Sequence, residues 1–170
     1  GIQNTIFNFL VLFDLKNKVI ILTGVTGALG GALALSLAKA KAKLIILGRN
    51  QELLDALHSK LDFYTTAQVF KVDVLNKSAL IRVRNQILSE FNRIDVLINA
   101  VGGNLPGAVI PDTKSVFDLS EKDFDQVVDL NLKAAFNVAQ LVVKKMLKNK
   151  KRSGSIVNMS SQLGHVGMGG

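Results

Sequence analysis

Five short apolar runs, each parted from the next by a stretch of helical character, restrict the fold of this chain more than any other feature. They are Val19-Ile20-Ile21-Leu22, Leu44-Ile45-Ile46-Leu47, Val69-Phe70-Lys71-Val72, Ile94 to Ile98, and Ser155-Ile156-Val157-Asn158-Met159. Short runs of this kind, rich in β-branched residues, are what strands buried on both faces look like. Between the first two, residues from about Ala28 to Ala42 carry Ala and Leu at helical density. Gln51 to Leu61 reads as a second helix with Leu53, Leu54, Leu57 and Leu61 on one face. Lys77 to Phe91 reads as a third, opened by Asn76 as N-cap. Ser120 followed by Asp123 marks the start of a long helix reaching about Lys148, and the segment Leu105 to Val116, with both prolines, reads as loop. Alternating buried strands and helices imply a parallel sheet covered on both faces, a doubly wound α/β domain.

A chain of 170 residues supports one such domain. We expect residues 17–170 to form it and residues 1–16 to be an extension that packs on the domain or on a neighbouring subunit. The extension holds an apolar run, Phe9-Leu10-Val11-Leu12-Phe13. That run lacks a basic flank and is too short to span a bilayer, so no membrane partner is expected. With no cysteine, a disulfide framework, a thiol nucleophile and a thiolate metal site are excluded; no metal site is assigned, and a cytoplasmic location fits. The net charge is +8, much of it in the run Lys144, Lys145, Lys148, Lys150, Lys151 and Arg152. Cations at a helix C-terminus complement the macrodipole and then meet water. No aromatic residues are interleaved with them to stack on bases, so nucleic acid is not expected as a partner. A basic protein does attract an anionic small substrate or a phosphorylated cofactor.

The chemistry-bearing motif is the cluster Thr23-Gly24-Val25-Thr26-Gly27-Ala28-Leu29-Gly30-Gly31 between the first strand and the first helix. Glycine there lets the turn close and lets a pyrophosphate approach the backbone, while the helix N-terminus supplies oriented N–H groups. Any tight strand-to-helix turn can also use glycines, so its position gives the cluster its meaning. The spacing is similar to the T-G-x-x-x-G-x-G loop of the short-chain dehydrogenases, with one departure: the family's middle glycine falls on Ala28, and Gly27 stands one place earlier.

Further segments follow the same family in order. Asp73-Val74 resembles the site that family members place against the adenine. Asn99-Ala100-Val101-Gly102 resembles their N-N-A-G segment beside the cofactor, keeping the first Asn and the Gly. Asn131 matches the helix asparagine that holds a proton-relay water, and Ser161, in Ser160-Ser161, matches the serine that polarises the substrate oxygen. The resemblance implies a Rossmann-type domain binding NAD(P) and moving hydride between a carbonyl and an alcohol. It implies cofactor contacts at Thr23, Gly24, Thr26, Gly27, Leu29, Gly30, Arg49, Asn50, Asp73, Val74, Asn99, Ala100 and Gly102, with catalytic roles for Ser161 and Asn131. Taken one by one, Asp73 also reads as a turn residue, Asn131 as a locally bonded helix polar residue and Ser161 as a turn cap. His165 and His58 are assigned no role.

Where NAD-preferring members carry a carboxylate at the end of the second strand, this chain has Gly48 followed by Arg49. A guanidinium binds a 2′-phosphate through charge-assisted, bidentate hydrogen bonds, so NADP is expected over NAD. The stretch Asn99 to Gly107, with Val116-Phe117-Asp118-Leu119, resembles the sugar-acid reductases of this family, of the D-mannonate oxidoreductase (fructuronate reductase) kind, which points to an anionic sugar acid. The family's Tyr–x–x–x–Lys pair would fall about four residues past Gly170, and Tyr64, before the third strand, does not fill that role. The chain is therefore expected to be part of a longer active enzyme, with a non-catalytic dinucleotide-binding or regulatory protein as the rival. Family members are usually homotetramers or homodimers, and Ala134, Ala135, Val138, Ala139 and Val142 offer a small-residue stripe for subunit packing or for the domain's own sheet.

Overall fold

The structure, a computed structural model, describes residues 14–149 and 153–161. Strands β1 (Val19–Thr23), β2 (Lys43–Gly48), β3 (Ala67–Lys71), β4 (Val96–Asn99) and β5 (Ser155–Asn158) form one sheet in the order β3-β2-β1-β4-β5. Every pairing is parallel; Ile21 lies between Ile45 and Leu97, and Asn99 lies opposite Asn158. Helices α1 (Ala28–Lys39), α2 (Gln51–Leu61), α3 (Lys77–Phe91), α4 (Glu121–Val128) and α5 (Ala134–Met146) make the connections. Because successive strand residues point to opposite faces, the core divides in two. Ile20, Leu22, Leu44 and Ile46 pack with Ala34, Leu37, Leu54 and Leu61 from α1 and α2. Val19, Ile21, Ile45 and Leu47 pack on the other side with Leu80, Val83 and Ile87 of α3 and Val138 and Val142 of α5. The doubly wound Rossmann-type architecture is the one expected. Its chain runs outward from β1 to β3 and returns to β4, so the strand order reverses between β1 and β4, where such folds open a crevice.

The structure corrects several details. Strand β3 begins two residues before the apolar run and stops at Lys71; Val72 lies past its end, its N–H donating to the Gly48 carbonyl at 2.7 Å. Strand β4 begins at Val96, two residues into the apolar run; Asp95 before it accepts the Val19 N–H on its carboxylate at 2.8 Å. Leu53 is 49% exposed whereas Leu54 and Leu61 are fully buried. A helix of 3.6 residues per turn that points residues 54, 57 and 61 at the sheet swings residue 53 out of that arc. The long helix is not continuous: a π-helical turn, Asp129–Lys133, separates α4 from α5. Both caps form as expected, Asn76 accepting from the Ala79 N–H at 3.0 Å and the Ser120 hydroxyl from the Asp123 N–H at 3.1 Å. The proline-containing loop holds two short 3-10 turns, Pro106–Ala108 and Val116–Asp118. In the second, the backbone N–H and the hydroxyl of Ser115 hold the Asp118 carboxyl below its usual range. Ala134, Val138 and Val142 face the domain's own sheet. The apolar run of the extension, Lys150 to Arg152 and His165 lie outside the described residues.

Candidate functional site

The glycine turn is built for close approach of backbone to backbone. Gly24 has φ +73°, and a Cβ there would sit 2.2 Å from the Ala100 carbonyl oxygen of the neighbouring strand end. A Cβ on Gly30 would sit 2.3 Å from the Gly24 carbonyl oxygen. These two positions therefore exclude side chains, one by conformation and contact, the other by contact alone. Gly27 differs: its φ is −82° and an added Cβ would meet only the Gly24 oxygen, at 3.7 Å. It is the N-cap of α1, and with no side chain it leaves the helix end without a side-chain cap, nor is there an acidic residue in the first turn. Unsatisfied N–H groups and the positive end of the helix dipole are thus presented to whatever lies in front of them.

In front of them is a cleft of about 460 Å³ at the C-terminal ends of the strands. It is lined by Gly24, Thr26, Gly27, Leu29 and Gly30 from the turn, by Gly48 and Arg49 after β2, by Asp73 and Val74 after β3, and by Ala100 and Gly102 after β4. Ten of the thirteen residues singled out in the sequence for cofactor contacts line it; Asn50 lies in the hollow beyond Arg49. Thr23 does not: it is 1% exposed, and its hydroxyl oxygen accepts the Ala100 N–H at 3.2 Å, joining β1 to β4 beneath the turn. Asn99, 3% exposed, likewise lies under the cleft, donating to Asn158 at 2.9 Å and to the Ala135 carbonyl at 3.4 Å.

Past Arg49 an open hollow continues, lined by Thr26, Arg49, Asn50, Gln51, Glu52 and Lys71. Asn50 also caps α2, its side-chain oxygen accepting the Leu53 N–H at 3.1 Å. Among the described residues Arg49 has no carboxylate partner, and Lys71 brings a second cation to the same hollow. One oxygen of Asp73 accepts the Leu75 N–H at 2.9 Å, the Asx-type turn its position suggested.

Asn131 sits in the π-helical turn. Its side-chain oxygen accepts the Gly103 N–H at 2.9 Å, and its amide donates to the Gly103 and Val127 carbonyls, both at 3.0 Å. The side chain is fully engaged in holding the loop after β4, and Gly102 lacks the Cβ that would press 2.7 Å from its oxygen. Ser160 and Ser161 follow Met159, whose N–H donates to the Asn99 carbonyl at 2.9 Å and which itself lines the cleft. The sequence reading missed Asn158, Met159 and Asn137. Asn158 had a signal, a polar residue ending an apolar strand directly across from Asn99. Asn137, 6% exposed, donates to the Val74 carbonyl at 3.2 Å and fixes the wall beside Asp73; nothing in its sequence surroundings marks it. His58 bonds the Ala67 carbonyl at 2.8 Å and lies 3.4 Å from Asp62, a local structural role.

Comparison with known proteins agrees with this geometry. Residues 18–170 match the family model described as short chain dehydrogenase. The chain is 34% identical over 157 residues to the 3-oxoacyl-(acyl-carrier-protein) reductase FabG of Rickettsia conorii, a match covering 92% of this chain and 58% of that protein. It is 35% identical over 150 residues to the NADPH-dependent pterin aldehyde reductase of Arabidopsis thaliana, covering 88% of this chain and 59% of the relative. A crystal structure from Haemophilus influenza, provisionally assigned as a D-mannonate oxidoreductase and holding NAD, superposes with a TM-score of 0.82 at 32% identity, over 94% of this chain and 60% of that one. The chain thus spans about three-fifths of the length of the relatives it matches.

Proposed function

Given that the chain belongs to the short-chain dehydrogenase family, we propose that it is the cofactor-binding part of an NADP-dependent oxidoreductase that interconverts a carbonyl and an alcohol on an anionic sugar acid. The observation that carries this reading is the uncapped N-terminus of α1 opening, over the side-chain-free Gly24 and Gly30, into a cleft with Arg49 at its rim. That combination fits a dinucleotide: a concave wall without Cβ atoms, free N–H donors for a pyrophosphate, and a cation for a further phosphate.

The nicotinamide cofactor supplies the hydride. The chain's own residues position and stabilise. The first-turn N–H groups of α1 hold the pyrophosphate. Arg49, with Lys71 beside it, takes the 2′-phosphate through charge-assisted hydrogen bonds. Asp73 and Val74 bound the adenine end. Ser161 donates a hydrogen bond to the oxygen on which negative charge develops, an interaction that strengthens toward the transition state. Asn131 acts by position: its side chain fixes Gly103 and so the loop after β4. The general acid in this reading is the tyrosine of the family's Tyr–x–x–x–Lys pair. The sugar-acid assignment rests on the loop resemblance and on the net charge of +8, which favours an anionic substrate. A cytoplasmic location accords with the absence of cysteine.

The test is fluorescence titration with NADPH and NADH beside turnover of sugar-acid carbonyls by the full enzyme. NADPH should bind at least about tenfold more tightly, and Arg49→Asp should reverse the order, since one phosphate–guanidinium pair supplies about 1.4 kcal/mol or more. Ser161→Ala should lower turnover by about a hundredfold with cofactor affinity unchanged. Unchanged preference in the Arg49 variant removes that residue from the site. Cofactor binding without any turnover reduces the protein to a dinucleotide-binding one.

A further inference from the structure

The opposite end of the sheet holds a second cleft, of about 570 Å³, at the N-terminal ends of β1, β4 and β5. Its charged lining is Lys18, Arg93, Lys145 and Lys148 against a single carboxylate, Asp95. That carboxylate is already spent: one of its oxygens accepts from both the Val19 N–H at 2.8 Å and the Arg93 guanidinium at 2.9 Å. Three lysines remain in one concavity without an acidic partner among the described residues. A smaller groove of about 270 Å³ shares Lys145 and Lys148 and adds Arg84 and Lys144.

Cations at the end of α5 would be accounted for by its macrodipole, and Lys144 and Lys145 do lie in its last turn. The macrodipole does not account for Lys18, which precedes β1, or Arg93, in the connection from α3 to β4. With Arg93 paired to Asp95, lysines from two separate parts of the chain still carry like charge into one cleft, an arrangement that favours an anion there. Asn92, Asn149 and Ser153 add polar groups to the same wall. The volume is that of a small-molecule site.

We propose that this cleft is a second ligand site, separate from the cofactor cleft and taking a small molecule that carries a polyphosphate group. Three lysines left over after Arg93 pairs with Asp95 suit several linked anionic groups better than one. A cleft of this size, whose one aromatic lining residue among those described is Phe91, half-buried and packed on the core, suits a compact ligand better than a nucleic acid strand.

Calorimetric titration of the purified protein with inorganic tripolyphosphate, at about 150 mM salt to screen diffuse attraction, tests the assignment. Saturable binding is expected. Lys145→Gln combined with Lys148→Gln should weaken it by about tenfold to a hundredfold, about 1.4 kcal/mol for each tenfold, with the melting temperature preserved because both side chains reach solvent. Lys148→Arg should restore most of the lost affinity when placed with Lys145→Arg, and saturating NADPH, which fills the cofactor cleft at the far end of the sheet, should leave the binding that depends on Lys145 and Lys148 in place. Absence of binding at that salt concentration, or the same affinity in the double glutamine variant, overturns the proposal. So does tighter binding of single-stranded oligonucleotides that rises with their length, which would make the surface a nucleic acid site.

Discussion

At the scale of single residues, the glycine turn separates glycines that are indispensable from one that is not. Gly24 combines a left-handed φ with a Cβ position 2.2 Å from the Ala100 carbonyl oxygen. Gly24→Ala therefore meets about 1–2 kcal/mol of backbone strain and must in addition push β1 and β4 apart. Gly27→Ala meets neither, since its φ is −82° and its Cβ would find ordinary contact; its cost should stay below about 1 kcal/mol, the difference between Gly and Ala as an N-cap. Thermal melts should show a drop of several degrees for the Gly24 variant and little for the Gly27 variant. Equal losses would mean that the close approach to Ala100 does not govern this turn. The same geometry explains why the displaced middle glycine of the motif is tolerated: Ala28 is simply the first residue of α1, with its side chain outside the crowded contact.

At the scale of elements, α2 shows what periodicity can and cannot resolve. Leu53 and Leu54 are adjacent in sequence, yet one is 49% exposed and the other fully buried against Gly48 and the sheet. Leu54→Ala is expected to cost about 2–5 kcal/mol, a large-to-small change in a packed core. Leu53→Ala should cost less than about 1 kcal/mol. Denaturant unfolding of the two variants measures both, and similar losses would contradict the placement of α2. The strands, the helices and their caps at Asn76 and Ser120 were legible because they are local: a run of β-branched residues, a 3.6-residue period, a side chain three positions from the amide it caps. The π-helical turn at Asp129–Lys133 was not legible, because its cause is tertiary, with Asn131 turned to bind Gly103 twenty-eight positions away. The site divides in the same way. The glycines, Arg49 and Asp73 announce themselves by their place at strand ends. Thr23 and Asn99 were expected to touch the cofactor, yet their side chains bond beneath the cleft, a distinction that depends on the register of β1, β4 and β5.

At the scale of the whole molecule, the small-residue stripe on α5 is consumed by the sheet, and the apolar surface left on that side comes from other residues. Leu132 is 67% exposed and Phe136 57%, with Leu147 a further two to three turns along. A row of that kind is a liability on a monomer and a natural contact between copies. We propose that two copies of the chain meet on this row, and Phe136→Glu should then shift sedimentation toward the monomer without lowering the melting temperature of the fold. An unchanged sedimentation profile would rule this face out as the contact.

The hollow holding Arg49 and Lys71 has a consequence of its own. Both side chains stand at strand ends, outside the two apolar layers, and neither makes a hydrogen bond or ion pair with another part of the fold among the described residues. Substitutions there are expected to alter which anion is welcomed while leaving the folding equilibrium nearly untouched. On the reading proposed above, cofactor choice is accordingly an adaptable trait: a lineage could exchange one reducing pool for another by single changes at these positions, with no intermediate that fails to fold.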